Sequence, residues 1–554
     1  MLRRHLHAGT LFVAAIASSA NVAGKQARSA ATYVSGNWPI PAFEVPKEAA
    51  ATETLVDVLD AAYRSSPSLQ AERYSLRADD EDYSQALSEL RPTSVVQVSG
   101  EFRRTIPGRT TQARRSPVDQ LASPNFNDNS LNAQAIVNQP LYSGGKATAD
   151  IGASMHSIRA GRERLKGVEG DLLLQVITSY CDFRRDERIL SLRSANLNQL
   201  QATLDEVRAR REAGELTLTD VAQVSTQYAS AIVQANSARE QLEQDRAVLA
   251  NLVGHSPGTL AAPPPLPQLP QSLDAAYSFA ARLSPELGQA IETERASRDR
   301  IISAKSEGRP KFGLRGTASF GGQAYPFDRR NDDQVFTGGM TITIPVGNGG
   351  RVGSLVAQAY DRNSADRARI EEARRLYVRN LTTAWNGVAT AQRNIAVEIQ
   401  QLEASKILDE GTFEEYRAGL RSTFDVLFAH SSRRDSEIAL VSTERDVYVA
   451  QANLLRAIGL LQMAAISEAT PLYDVESNTK RARRRGALPW DSAVRSIDGI
   501  LLPNSVQPAL EQPPLPDREP SLVPASPPPR YPIATDNRGE PLPGTVGVPI
   551  GKHK

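Results

Sequence analysis

Residues 309–350 read RPKFGLRGTASFGGQAYPFDRRNDDQVFTGGMTITIPVGNGG. Phe312, Leu314, Gly316, Ala318 and Phe320 alternate with Lys311, Arg315, Thr317 and Ser319, and Phe336, Met340, Ile342 and Ile344 alternate with Thr337, Thr341 and Thr343. A period of two over about ten residues predicts a pair of strands, each with one apolar and one polar face. Pro310 opens the first strand and Pro345 closes the second. Gly349 and Gly350 then allow a bend into a helix, because glycine adopts backbone angles closed to other residues.

Working outward, the same order of signals occurs earlier in the chain. Ser66-Pro67 and Arg91-Pro92 match Ser284-Pro285 and Arg309-Pro310 at an offset of 218, and Pro140 with Gly144-Gly145 matches Pro345 with Gly349-Gly350 at an offset of 205. The second offset persists for Ala213-Gly214 with Ala418-Gly419, Asp220 with Asp425, and Val253-Gly254 with Ile458-Gly459. Two copies of one unit are therefore expected, at 52–262 and 273–470, joined by a Pro-rich linker at 263–272. In the first copy a helical stretch from Thr54 to about Glu89 should stop before Pro92. A strand carrying Val96, Val98, Gly100 and Phe102 on one face follows, then a polar loop from Ile106 to Ser130 and a second strand near Leu131 to Leu141, closed by Pro140. The helix after Gly145 meets no strong breaker until about Glu212, a length of about 100 Å. Leu190, Leu197, Leu200, Leu204 and Val207 keep near-heptad spacing, as in packed coiled-coil helices. Its other positions are too polar for lipid. A turn at Ala213-Gly214 leads into a returning helix from about Leu218 to Val253.

The chain of 554 residues carries 64 Lys and Arg against 63 Asp and Glu, a net charge of +1. It lacks the basic excess of a protein held to nucleic acid by its phosphates, so no nucleic-acid partner is expected. Mean hydropathy is −0.37 and aromatic residues are 6%, which argues against bundles of membrane helices and against a large enzyme core. At the start, Arg3 and Arg4, the apolar run Leu11 to Ala17 and the small residues Ser18, Ser19 and Ala20 form the pattern of a secretory signal peptide over 1–20. No cysteine follows that run, so no lipid anchor is expected there, and 21–51 reads as extended. Nearly half of the 35 prolines lie in 471–554, which reads as a disordered tail. The cluster Lys480, Arg481, Arg483, Arg484 and Arg485 at its head fits a solvated charge run or a contact with acidic lipid or peptidoglycan.

No catalytic constellation emerges. Ser143-Gly-Gly-Lys146-Ala-Thr ends like a phosphate loop but has Gln139 where the first glycine belongs, and Gly347-Asn-Gly349 has Val352 at the third dinucleotide-loop position. Both suit strand-to-helix bends. The six histidines lack metal-ligand spacing, and Cys181 falls among Tyr180 and Phe183 as a core residue. No enzyme activity, metal or cofactor is expected.

Strands of membrane length with one apolar face indicate a barrel with lipid outside and water inside. Four strands per chain are too few to close one, and open edges are intolerable in lipid, so several chains must share it. With the repeat, the Arg-Pro strand entries, the Pro…Gly-Gly exits and the helix-turn motifs in place, residues 52–470 resemble the TolC family of outer-membrane channels. The resemblance implies a mainly α protein with membrane β-structure: long coiled-coil hairpins and four strands per chain, trimerising into a twelve-stranded barrel continuous with an α-helical barrel. It implies a homotrimer in outer-membrane lipid that extends through the periplasm. A periplasmic adaptor (membrane fusion) protein and an inner-membrane ABC or RND-type transporter complete an export system for small molecules or proteins. A coiled-coil spacer without a pore and a stand-alone porin remain as alternatives; the first leaves the strands unexplained, the second the helices.

The segment Tyr416-Arg-Ala-Gly-Leu-Arg421-Ser-Thr-Phe-Asp425-Val-Leu resembles the family's gate at the inner hairpin. By that match Tyr416 and Arg421 tether the hairpin to Thr219 and Asp220 through an Arg–Asp link with the tyrosine hydroxyl donating nearby. Asp425 becomes a ring carboxylate at the constriction, where threefold repulsion should raise its proton affinity. Phe428 stands where the family prototype has a second acidic ring and suggests a partly hydrophobic constriction. From the residues alone, Tyr416, Arg421 and Asp220 also fit ordinary surface pairing beside a turn. Gly214 and Gly419 mark hairpin tips that suit either adaptor contact or simple solvation.

Overall fold

The computed structural model describes residues 52–105, 126–267, 269–323, 333–467 and 470–499. The expected signal peptide, the 21–51 segment, most of the first copy's long loop and the chain beyond 499 lie outside these residues. The first copy comprises α1 (Leu55–Ser65), α2 (Pro67–Ser88), β1 (Thr93–Thr105), β2 (Phe126–Tyr142), α3 (Lys146–Glu212) and α4 (Leu218–Val253). The second repeats the order with α5 (Leu273–Leu283), α6 (Pro285–Ser306), β3 (Lys311–Gln323), β4 (Asp333–Thr343), α7 (Arg351–Arg417) and α8 (Thr423–Ile458), and α9 (Met463–Ile466), α10 (Ser477–Arg484) and α11 (Asp491–Gly499) follow. Among the described residues no helix is long and apolar enough to cross a membrane.

Local chemistry sets most boundaries. The helix expected from Thr54 to Glu89 is two helices. Pro67 removes an amide and starts α2 at its N1 position, while the Ser66 hydroxyl accepts from the amide of Leu69. The second copy breaks at Ser284-Pro285 in the same way. The two long helices, α3 and α7, have 67 residues each, and both start after glycines in the left-handed region, with φ 80° and 86° at Gly144 and Gly145 and 58° and 82° at Gly349 and Gly350. Gly214 and Gly419, at 81° and 77°, turn the chain back into α4 and α8.

The four strands form one antiparallel sheet in the order β1-β2-β3-β4. β2 begins at Phe126, inside the expected loop, because it pairs with β1 as far as Thr105. It also does not stop at Pro140: the register with β3 shifts between Pro140 and Tyr142, which accommodates the missing amide as an irregularity and carries the strand to Tyr142. Pro345, by contrast, lies beyond the end of β4. The register places Val98, Ala133 and Phe320 side by side on one face, with Val96, Ala135, Ala318 and Phe336 next along it. That face is mostly apolar, with Gln334 beside Phe320 as a polar member; Gln97, Gln134, Ser319 and Thr337 are on the other. Phe102, Phe336 and Met340 are 69%, 70% and 64% exposed, so the apolar face has no protein cover among the described residues. Nor do the outer edges of β1 and β4 have strand partners there.

The packed interior lies where the short helices meet the long ones. Tyr180, Phe183, Leu173 and Ile177 of α3 pack with Leu59, Leu69, Leu249 and Leu455. The Tyr180 hydroxyl donates to the Ala261 carbonyl at 2.7 Å, anchoring the stretch that leads to the linker. Cys181 is buried there, and burial pushes its thiol up to about 12. Leu381, Val388, Leu454 and Ile458 form the second copy's cluster.

Residues 470–499 differ from the expected tail. Only two of its prolines, Pro471 and Pro489, fall here, so helix is possible, and the segment packs on the first copy. Thr479 donates to Asp80 at 2.5 Å, Arg485 pairs with Glu81, and Arg483 stacks over Tyr83. Lys480, Arg483 and Arg485 of the basic cluster thus have partners within the chain. Asp498, fully buried, accepts from the amides of Ser143, Gly145 and Thr148 at 2.6, 3.3 and 3.1 Å, and so caps α3 from a distance of 350 residues in sequence.

Candidate aperture at the hairpin tips

Towards the tips, Leu200, Leu204 and Val207 of α3 and Val224 and Ala231 of α4 bury against Leu427 of α8, which joins the two hairpins. The near-heptad leucines read from the sequence supply this contact. Three polar links cross the same seam. Arg193 lies 3.6 Å from Asp435, Gln199 Nε2 lies 3.3 Å from His430 Nε2, and Arg210 donates to the Tyr416 hydroxyl at 3.0 Å while its guanidinium stands 5.7 Å from the Tyr416 ring centroid. His430 is seated by Asp409, which also pairs with Arg433 at 3.1 Å, and by the Phe413 ring.

The expected tether takes a different form. Arg421 donates to Glu415 at 2.6 Å, within its own hairpin, rather than to Asp220. Tyr416 accepts from Arg210 rather than donating to the first copy's turn. Thr219 is exposed, and its hydroxyl has no hydrogen-bond partner among the described residues. Asp220 is the third residue of a capping box: its carboxylate accepts from the amide and hydroxyl of Thr217 at 2.9 and 2.7 Å, and Thr217 in turn accepts from the Asp220 amide. Asp425 does the same with Ser422 at 3.0 and 2.8 Å. In each case the cap hydroxyl and then the cap amide hold the carboxyl below its usual range. Within one chain the pull is thus opposite to the rise expected from repulsion around a ring. The cap spacings Thr217-x-x-Asp220 and Ser422-x-x-Asp425 were the signal for this.

Three side chains escaped the sequence reading. Arg210 needed the α3–α7 contact to be known. Phe424 lies one turn before Phe428 on α8, Leu420 precedes them in the turn, and Leu420, Phe424 and Phe428 are 77%, 58% and 61% exposed. Large exposed apolar groups with a capped carboxylate beside them give the second copy's tip a mixed surface. At Gly214 and Gly419 a β-carbon would meet nothing within 4 Å, so both turns present bare backbone. Among the described residues no group of His, Cys, Asp and Glu could hold a metal.

Comparison with known proteins identifies the family and the fold. The sequence model of the family described as outer membrane efflux protein matches residues 58–255 and 276–460. Outer membrane efflux protein BepC of Brucella suis is 27% identical over 436 residues, 79% of this chain and 92% of BepC. Outer membrane protein TolC of Escherichia coli is 23% identical over 304 residues, 52% of this chain and 62% of TolC. The crystal structure of the Campylobacter jejuni CmeC outer membrane channel superposes with a TM-score of 0.66 at 14% identity, covering 78% of this chain and 89% of that one. Its fold, four strands per chain joined to long helical hairpins, is the fold found here, and the family consists of channels rather than enzymes. The chain belongs to the outer membrane efflux protein family, the TolC family: an outer-membrane channel of tripartite export systems that reaches into the periplasm.

Proposed function

We propose that three copies of this chain form a passive exit duct whose periplasmic end is held shut by contacts between the two hairpins of each copy, with Arg210 and Tyr416 as the clasp. The observation that carries the reading is the 3.0 Å bond between these side chains, made across the copies at the last turn of both long helices. A charged donor on a phenolic oxygen is stronger than a neutral pair, and it resists separation of the tips. The clasp is exposed enough for a partner or a change of ionic conditions to break it. Leu420, Phe424 and Phe428 favour an apolar constriction, with Asp425 as its one acidic member in this stretch. The bare turns at Gly214 and Gly419 suit close approach by a periplasmic adaptor, which in turn engages an inner-membrane pump of ABC or RND type.

The uncovered apolar face of the sheet supports membrane insertion over a coiled-coil spacer, and the 67-residue helices argue against a simple porin. Purified trimer reconstituted in planar bilayers should conduct weakly, and Tyr416→Phe should conduct more. A mature protein released from membranes by carbonate alone would sink the channel reading.

A further inference from the structure

Just past the midpoint of α3 a cavity of about 780 Å³ opens on the seam between the two copies. One wall is α3, with Arg184 and Arg188 one turn apart; the facing wall is α7, with Lys406; and α8 forms the back. Leu192, Leu402, Leu440 and Val441 supply an apolar lining between them. The volume lies within the ~300–1,000 Å³ of small-molecule sites.

The charges divide into two sets. Arg185, Arg434 and Arg445 also line the cavity but are committed: Arg185 to Asp186 at 2.7 Å, Arg434 to Glu437 at 2.9 Å and Arg445 to Asp182 at 2.7 Å. Arg184, Arg188 and Lys406 have no hydrogen bond or ion pair among the described residues, in a chain whose other seams are closed by such pairs. Glu444 is the one carboxylate of the lining without a cation at ion-pair distance. The cavity therefore holds an excess of two positive charges, contributed from both copies, whose mutual repulsion across the seam an anion would remove.

We propose that this cavity is a binding site for a small amphiphilic organic anion, with its acid group between Arg184, Arg188 and Lys406 and its apolar body on the leucines and Val441. Resting on the gate reading above, such a ligand acts as an effector. It ties α3 to α7 in the same seam that Arg210 and Tyr416 close, and so favours the closed aperture.

Naphthalene-1-sulfonate is a suitable probe, titrated calorimetrically into the full-length trimer in a non-ionic detergent. It should bind at one site per chain. Arg188→Gln, at an exposed position, and Lys406→Gln, at a half-buried one, should each weaken it about tenfold. Sulfate lacks the apolar body and naphthalene-1-methylamine has the wrong charge, so both should bind at least about a hundredfold more weakly. Affinity unchanged in both variants, or equal for the amine, would overturn the site. In bilayers the sulfonate should lower wild-type conductance and leave Lys406→Gln unaffected at the same concentration. Binding with no effect on conductance overturns the effector role alone. If instead Tyr416→Phe fails to raise conductance, the clasp falls while the calorimetric result stands.

Discussion

Both copies of the repeat bend from strand to helix through two glycines in the left-handed region, yet the surroundings of the two bends differ. A β-carbon on Gly144 would sit 2.9 Å from the Ser306 carbonyl oxygen and 3.0 Å from the Arg309 side chain, and Asp498 caps the helix that follows. At Gly349 and Gly350 a β-carbon would meet nothing within 4 Å, and α7 has no side-chain cap. The same local sequence gives the same local geometry with and without tertiary cover. The outer edges of β1 and β4, which have no strand partners among the described residues, are what neighbouring chains must pair with for a barrel to close.

The largest test of that difference is Asp498→Ala. It leaves the amides of Ser143, Gly145 and Thr148 buried without an acceptor and should cost about 3 kcal/mol or more locally, read as loss of amide protection at the start of α3 but not of α7. Equal loss at both bends would show that the cap does not act on the first copy alone. A paired glycine test comes next. Gly349→Ala should cost about 1–2 kcal/mol, the strain of a side chain in the left-handed region. Gly144→Ala adds overlap with backbone and should cost several kcal/mol, seen as a lower urea midpoint or lost trimer.

A smaller effect concerns the seam inside each hairpin. In the first copy burial, and then the neighbouring Asp186 carboxyl, pushes Asp245 up to about 7. Asp186 itself, against the upward push of burial, is held below its usual range by Arg185. The positions 205 residues on are Ala391 and Ala450. Because the folded chain holds the Asp245 proton more tightly than the unfolded chain, stability falls as pH rises from 3.8 to about 7 and then levels off. Asp245→Asn should therefore raise the melting temperature at pH 8 and change it little at pH 4; the reverse order would contradict the assigned shift.

Much of this was legible in the sequence because the repeat made each signal appear twice. The alternation of Phe312 to Phe320, the turn glycines and the heptad leucines are local patterns that report local structure, and they placed strands, hairpins and seam contacts. The failures came where distant residues decide. Nothing near Asp498 announces that it caps a helix beginning at Lys146, and the prolines beyond it drew residues 471–499 into an expected tail. At the tips, family likeness assigned Asp220 to a gating link and Asp425 to a ring of carboxylates, while their own capping boxes already engaged them. The bond from Arg210 to Tyr416 was invisible because the two residues lie 206 apart in sequence.

The comparison sharpens most at these tips. Arg210 of the first copy holds Glu215 in its own hairpin at 3.1 Å and also reaches across to Tyr416, whereas the residue at its repeat position, Glu415, stays in its own hairpin with Arg421. The account rests on that cross-copy clasp, and single-channel conductance of Arg210→Gln beside Arg421→Ser tests it directly. Arg210→Gln should raise conductance clearly and Arg421→Ser much less. A rise in Arg421→Ser with none in Arg210→Gln would contradict the clasp and return the aperture to a link between Arg421 and the first copy's turn.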